Sequence, residues 1–393
     1  MFRHGAPSPI PSLILPLKER GLARPEGPLN TKHDTRYGAR KAFRGDAARS
    51  GIIRAMQARS AVTSARQVTL YIEGLSACPN APAALTRLLA RADQVSGGAE
   101  GNTERLFALF GITQEAGHDL PVAAVTRVAD MGIIDREWWI RADPVYLEPG
   151  HDSLVMHAGL GLTQNEAGQL VAELNEALAQ DGWLLKAPRP ERWYLKPPVA
   201  AAITTTPLAV ANGRNVYPLL PQGSDRKAWH VYLNEIQILL HTSPVNVART
   251  ARGVLPVNSV WFWGGGRLPQ VGDVRWTQLW GNEPLVQGLA RLAGVPGSPL
   301  PANGAELLAQ SGGREQLLVL DLPVPSPLRA EAWQAELEQF AHVWLTPLVA
   351  GVHDGTLSEL TVVSDAGASF RYRRHHRWRF WRRSRPLAAY RSA

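Results

Sequence analysis

Residues 241–269 read HTSPVNVARTARGVLPVNSVWFWGGGRLP. Two Pro-Val-Asn triplets, three arginines, two tryptophans and a triple glycine share one short run. Its second half, 258–269, has the pattern of a strand that delivers a glycine loop. Glycines at Gly264, Gly265 and Gly266 let backbone N–H groups turn toward an anion with no side chain in the way. Arg267 follows at once and can clamp a phosphate or carboxylate through two parallel bonds. Asn246, Arg249 and Asn258 add further donors. The stretch reads as a cradle for a small phosphorylated or carboxylated ligand. The competing reading is a tight strand-to-loop turn whose tryptophans pack in the core.

Outward from this run, strands and helices alternate. VTLYIEGL (68–75) is a short β-rich run ending in glycine, a buried strand leading into a loop. APAALTRLLARAD (81–93) places Leu85, Leu88 and Leu89 at helical spacing, and 102–112 and 119–132 also read as helices. Such alternation predicts a sheet with helices on its faces. Residues 136–198 differ: two strand-like runs, a helix from Thr163 to about Ala179, then two more strands. Thr163 and Glu166 have the spacing of a capping box, each side chain reaching the other's backbone N–H. This stretch reads as a compact α+β unit inserted into the main domain. Beyond it, 226–246 is a helix with Trp229, Leu233, Ile236 and Leu240 on one face, stopped by Ser243–Pro244. A helix at 283–294, a strand at 316–325, an amphipathic helix at 329–352 and a strand at 357–365 complete the series. The expected organisation is a core of 68–135 and 213–370, an inserted domain at 136–212, and basic segments at 1–67 and 371–393.

With 393 residues, 45% of them hydrophobic, the chain has ample material for a core. One cysteine, Cys78, excludes an intrachain disulfide and a cysteine metal cluster. No apolar run approaches the ~18 residues of a membrane span. A cytoplasmic protein without a membrane segment is expected. The net charge of +8 is unevenly spread. Residues 1–67 hold 13 Lys+Arg against 4 Asp+Glu, and residues 366–393 hold nine Arg and no acid, so the body between is acidic. That is not the profile of a basic nucleic-acid-binding domain. Residues 1–67 lack periodic apolar patterning and read as disordered, or as sequence upstream of a later start at Met56; an Arg-rich targeting peptide or nucleic-acid arm is the alternative. RYRRHHRWRFWRRSRP (371–386) reads as a terminal strand with Tyr372, Arg374, His376, Trp378 and Phe380 on one face. Its alternative is single-stranded nucleic-acid contact through Trp stacking and Arg. His151, His157 and His230 are isolated. No P-loop, dinucleotide fingerprint, zinc pattern or nucleophile elbow occurs.

The 241–269 block resembles the HPVN…R…G…PAN…WLWG.G..P block of archaeal-type, cofactor-independent phosphoglycerate mutases, within the alkaline phosphatase superfamily. LYIEGLSACPNAPAALTRLLARAD, GNTERLFALFG, RADPVYLEPG, RWYLKPP, EPLVQGLARLAGV and VVSDAGASF are similar to further segments of that family, in the same order over about 68–370. With its WRFWRRSRPL ending, the chain also resembles the bacterial group called regulatory protein RpfE type. The resemblance implies an α/β fold, an alkaline-phosphatase-like α/β/α sandwich with an inserted small α+β domain.

The resemblance also implies a site, and here the sequence departs from it. Such mutases use two metal ions held by Asp and His, and a serine nucleophile. The first metal Asp falls on Glu73, one methylene longer. The nucleophile falls on Asn102, which cannot carry a phosphoryl group; Thr103, next to it, can do so only after a one-residue slip. The late Asp-His pair becomes Asp365–Ala366, and Asp321 is kept without an accompanying histidine. Glu73, Asp321 and Asp365 are thus the vestigial metal positions, and without imidazole they bind transition metals weakly. The expected function is a mutase-like protein with an eroded site that binds a small phosphorylated or carboxylated ligand or regulates, with no cofactor. The alternatives are an active mutase or phosphatase using manganese or zinc with Thr103 as nucleophile, and a nucleic-acid-binding regulator acting through the basic ends.

Overall fold

The computed structural model describes residues 66–78, 81–95, 97–310, 313–322 and 330–390. The expectations for 1–65, including Met56, and for 391–393 lie outside the described residues. In chain order the strands are β1 (Gln67–Glu73), β2 (Asp93–Val95), β3 (Trp139–Pro149), β4 (Leu154–His157), β5 (Leu184–Arg189), β6 (Arg192–Lys196), β7 (Ile203–Thr204), β8 (Gln222–Gly223), β9 (Ser259–Gly266), β10 (Gln278–Trp280), β11 (Gly297–Ser298), β12 (Glu315–Asp321), β13 (Glu359–Ser364) and β14 (Ser369–Arg373). The helices are α1 (Ala83–Arg91), α2 (Asn102–Ala108), α3 (Val122–Met131), α4 (Gln164–Leu178), α5 (Leu208–Ala211), α6 (Arg226–His241), α7 (Pro244–Ala251), α8 (Pro284–Leu292), α9 (Gly304–Ala309), α10 (Ala330–Phe340) and α11 (Thr346–Asp354).

The larger sheet has the order β11-β10-β12-β1-β13-β14-β2. Strands β10 to β13 and β1 pair in parallel, and β14 and β2 add antiparallel ladders at one side. β1 is central and buried on both faces, as parallel strands covered by helices are. Its alternate residues feed two cores. Leu70 and Ile72 pack with Leu85 and Leu89 of α1 and Leu348 and Val352 of α11. Tyr71 faces the other way, with Phe107 of α2, Val125 of α3 and Leu289 of α8. The result is a helix–sheet–helix sandwich. Arg66, ahead of β1, donates to the carbonyls of Leu307, Leu308 and Gln310.

The second sheet is antiparallel, with β4, β3, β6 and β5 in order and β9 beside β3. It therefore takes 259–266 as well as strands from the 136–212 segment. α4 covers it, and the capping box at its start is formed, Thr163 Oγ1 accepting from Glu166 N at 3.2 Å.

Three expectations change. The helix read over 226–246 ends at His241, ahead of Ser243–Pro244 as expected, but Pro244–Ala251 then forms a helix of its own. Ser243 Oγ accepts from Val245 N–H, and Pro244 sits in the first turn, where its missing N–H costs nothing. The first Pro-Val-Asn is thus a helix start. The triple glycine is part of a strand, with Gly266 paired to Trp139. A methyl group added at Gly264, Gly265 or Gly266 would lie 2.9 Å from Val122 Cβ, 2.6 Å from Trp138 Cζ2 or 2.7 Å from Pro121 Cβ. The glycines let β9 close onto Trp138 and the start of α3. Finally, the strand expected along the tail ends at Arg373, and Arg374–Trp378 forms a 3-10 helix. Arg379 and Arg382, just past that helix, pin the tail by donating to the carbonyls of Arg91 and Ala92.

Candidate functional site

β1, β12 and β13 all end at one edge of the sheet, and in open α/β sheets ligands bind outside the carboxyl ends of the strands. β1 and β12 run parallel in register, so Glu73 and Asp321 are cross-strand neighbours. Their side chains hydrogen-bond each other. Burial first, then the charge of Asp321 and the bond to it, push the Glu73 carboxyl up to about 8. Burial also raises Asp321, with the bond from Glu73 pulling it back. The pair holds one proton at neutral pH, because two adjacent carboxylates in a half-buried site do not both ionise. Glu283, just before α8, is raised by burial and by Asp321.

Asp365, after β13, lies close enough for its charge to raise Glu73 as well, and is itself held by Ser76. Its Oδ1 accepts from Ser76 N at 2.8 Å and its Oδ2 from Ser76 Oγ at 2.5 Å. Asn102 opens α2, and its Oδ1 accepts from Gly74 N at 3.2 Å while its carbonyl accepts from Tyr71 Oη at 2.7 Å. Asn102 is therefore the residue tied to the end of β1, and Thr103 stands one position further round the helix. Arg105, one turn on, is buried and donates to Ser369 Oγ at 2.7 Å. Sequence reasoning missed Glu283 and Arg105. The one signal for Glu283 was its place before a proline that starts a helix.

A two-metal centre needs several donors aimed at each ion. Among the described residues no three His, Cys, Asp or Glu side chains stand close enough together to hold one ion. Glu73 and Asp321 satisfy each other, and Asp365 is spent on Ser76. The donors present do not fit such a centre.

The expected cradle is also redistributed. Asn246 donates to the carbonyls of Leu240 and Val257, both at 2.7 Å, and accepts from Val257 N at 2.8 Å. Asn258 clamps Leu147 in both directions, at 2.7 and 2.8 Å. Each Pro-Val-Asn asparagine thus stands in for a backbone partner. Arg249 is 1% exposed and donates to the carbonyls of Leu255 and Leu160 and to Glu166. Asn246 and Arg249 are buried and Asn258 is half-buried, and all three spend these donors on the chain itself. Gly264 N–H donates to Thr205 Oγ1 at 3.0 Å, and Thr205 in turn holds the Asp119 carboxylate through its own N–H and hydroxyl, beside the Gly264–Gly265 backbone.

Arg267 alone of the predicted set reaches an open space with its side chain. It is exposed and donates to the Arg136 carbonyl. A cleft of about 660 Å³ lies beside it, lined also by His118, Trp138, Glu115 and the Gly265–Gly266 backbone.

The sandwich with its second antiparallel sheet defines an alkaline-phosphatase-like α/β protein. A solved protein from Pyrococcus horikoshii has this fold at a TM-score of 0.50 and 12% identity, over 78% of this chain and 87% of that one. A cofactor-independent phosphoglycerate mutase from Thermoplasma acidophilum superposes at 0.43, with 16% identity over 79% and 90%. In sequence, the 2,3-bisphosphoglycerate-independent phosphoglycerate mutase of Methanosarcina mazei is 31% identical over 72 residues, and a probable one of Geobacter sulfurreducens 29% over 71. The match spans 18% of this chain and 18% of the length of each curated relative. No family model matches. The chain is a distant relative of the cofactor-independent phosphoglycerate mutases. Among the described residues no helix is long and apolar enough to cross a membrane.

Proposed function

We propose that the chain is a binding or regulatory protein on a mutase-like frame, and that its ligand is a small phosphorylated or carboxylated molecule in the cleft beside Arg267. The observation that carries this reading is the proton-sharing contact between Glu73 and Asp321, next to an asparagine where the resemblance implies a serine nucleophile. A carboxyl group that holds a proton is a poor metal ligand, and an amide offers no hydroxyl for phosphoryl transfer. The regulatory half rests on the resemblance to the RpfE-type group.

Turnover of 3-phosphoglycerate, with and without manganese or zinc, is the test. No 2-phosphoglycerate is expected under conditions where a control mutase is active. 3-Phosphoglycerate at millimolar concentration is expected to raise the melting temperature, and Arg267→Ala to remove that shift. Metal-dependent product, abolished by Thr103→Ala, would establish the active-enzyme reading instead. A shift that survives Arg267→Ala would move the ligand out of this cleft.

One observation favours a second reading, single-stranded nucleic-acid binding. Trp378, Phe380 and Trp381 are 61, 74 and 66% exposed in a stretch crowded with arginines, the mixture that stacks bases and tracks a phosphate backbone. Deleting 371–393 would remove half of β14, so the clean variant replaces the three aromatics by alanine. Under this reading, oligonucleotide binding falls steeply with salt and is lost in that variant. Absence of binding at low salt removes the reading.

A further inference from the structure

A second groove, of about 380 Å³, lies between α1 and α11 with Tyr372 of β14 at its edge. α1 and α11 run back against the parallel strands, and Tyr372 pairs with Leu360 at the start of β13. The groove is therefore at the amino end of the sheet, opposite Glu73 and Asp321. Its volume is within the range of small-molecule sites.

One wall is cationic and polar. Arg87 and Arg91 are four apart on α1 and so share a face. Arg91 donates to Tyr372 Oη, and Tyr372 Oη lies 2.9 Å from His353 Nε2. Burial first, then the charges of Arg377, Arg91 and Arg374, hold His353 below the ordinary imidazole value; Asp354 opposes them. The environment is thus rich in positive charge even with His353 neutral. Other arginines of this chain are matched with acids, as Arg192 is with Asp130, Arg373 with Glu359 and Arg379 with Asp93. Among the described residues neither Arg87 nor Arg91 is in an ion pair, and no carboxylate lines the groove. Arg87 spends only Nε, on the Ala83 carbonyl of its own helix.

The rest of the lining is largely apolar, with Leu88 beside Arg87 on α1 and Leu345 and Val349 across from it. A π turn, Ala341–Leu345, separates α10 from α11, and the residues at its end, Leu345 and Thr346, form part of the groove. Such turns insert an extra residue into a helix and recur at functional sites.

We propose that this groove is a second small-ligand site, distinct from the cleft at Arg267, and that it takes a phosphate monoester with a compact apolar body. The phosphate lies against Arg87 and Arg91, and the apolar body covers Leu88, Leu345 and Val349. Two guanidinium groups without acidic partners match a dianion, and the apolar wall rewards a ligand larger than phosphate itself.

Calorimetric titration of the full chain with phenyl phosphate tests this, with inorganic phosphate and phenol as the two halves of the probe. Saturable binding of phenyl phosphate is expected, with each half at least ~10-fold weaker. Arg87→Gln, on an exposed side chain, is expected to weaken binding about 10-fold. Val349→Glu, which puts a carboxylate in the groove and leaves both arginines in place, is expected to do the same, and this component of the binding is expected to persist in Arg267→Ala. Absence of saturable binding overturns the proposal, as does wild-type affinity in both groove variants. Loss of binding in Arg267→Ala, whatever the groove variants do, also overturns it and assigns phenyl phosphate to the other cleft.

Discussion

Arg249→Ala is expected to lower the unfolding free energy by about 3–5 kcal/mol, the range for breaking a buried charged network. The guanidinium is 1% exposed and ties three separate segments together. Nε holds the Leu255 carbonyl at 2.9 Å, Nη2 the Leu160 carbonyl at 2.7 Å, and Nη1 Glu166 at 3.2 Å. Truncation leaves two backbone carbonyls without this donor and opens a cavity among α4, α7 and the loop before it. Each buried polar group left unpaired costs about 1–3 kcal/mol. Glu166 is spared the full penalty because Arg252 also holds it. Arg249→Met, which keeps the stem and loses the charge, should recover the packing part alone. Urea unfolding at neutral pH measures all three, with Arg267→Ala as the control expected within about 0.5 kcal/mol of wild type, as surface substitutions usually are. Equal stability of Arg249→Ala and wild type would return Arg249 to the ligand cradle.

This contrast shows why part of the site was legible and part was not. The α/β/α sandwich could be read because its signals are local. VTLYIE carries an unbroken apolar run for a strand buried on both faces, and Thr163 with Glu166 marks a helix start three residues apart. Glu73, Asp321 and Asp365 could be named as strand-end carboxylates, because strand ends follow from the same periodicity. That Glu73 bonds Asp321 while Asp365 bonds Ser76 depends on the order β12-β1-β13 and on a contact across 289 residues. Among the donors of 241–269, Asn246, Arg249 and Asn258 bond the chain itself, and Arg267 borders the cleft. Asn258 meets Leu147 from 111 residues away, and the Gly264 N–H is taken by Thr205, which itself holds Asp119 far upstream. A buried backbone that needs partners uses the same amides and guanidinium groups that a ligand would. Spacing alone cannot separate the two.

Glu73→Gln is expected to make the protein more stable above pH 8 and to leave it unchanged near pH 4. In the folded chain the carboxyl is raised from its ordinary 4.5 to about 8. Between those values the folded state binds more protons than the unfolded state, so stability falls as pH rises through the window. Below about 4.5 both states are protonated and the group contributes no slope; above about 8 the loss is complete. The full shift would correspond to about 1.4 kcal/mol per pH unit. Glu73 keeps some contact with water and shares its proton with Asp321, so on the order of 2–4 kcal/mol at pH 9 is the reasonable size. Glutamine is permanently neutral, keeps an N–H to donate to Asp321, and removes the slope. Urea unfolding of both chains between pH 4 and 9 gives the difference directly. The opposite sign, wild type more stable than Glu73→Gln at pH 8, would mean that Glu73 works as an anion. If that advantage also grew with added manganese, as mass action requires for a metal bound only by the folded state, Glu73 and Asp321 would be metal ligands. The proton-sharing pair on which the non-catalytic reading rests would then be displaced by a metal site.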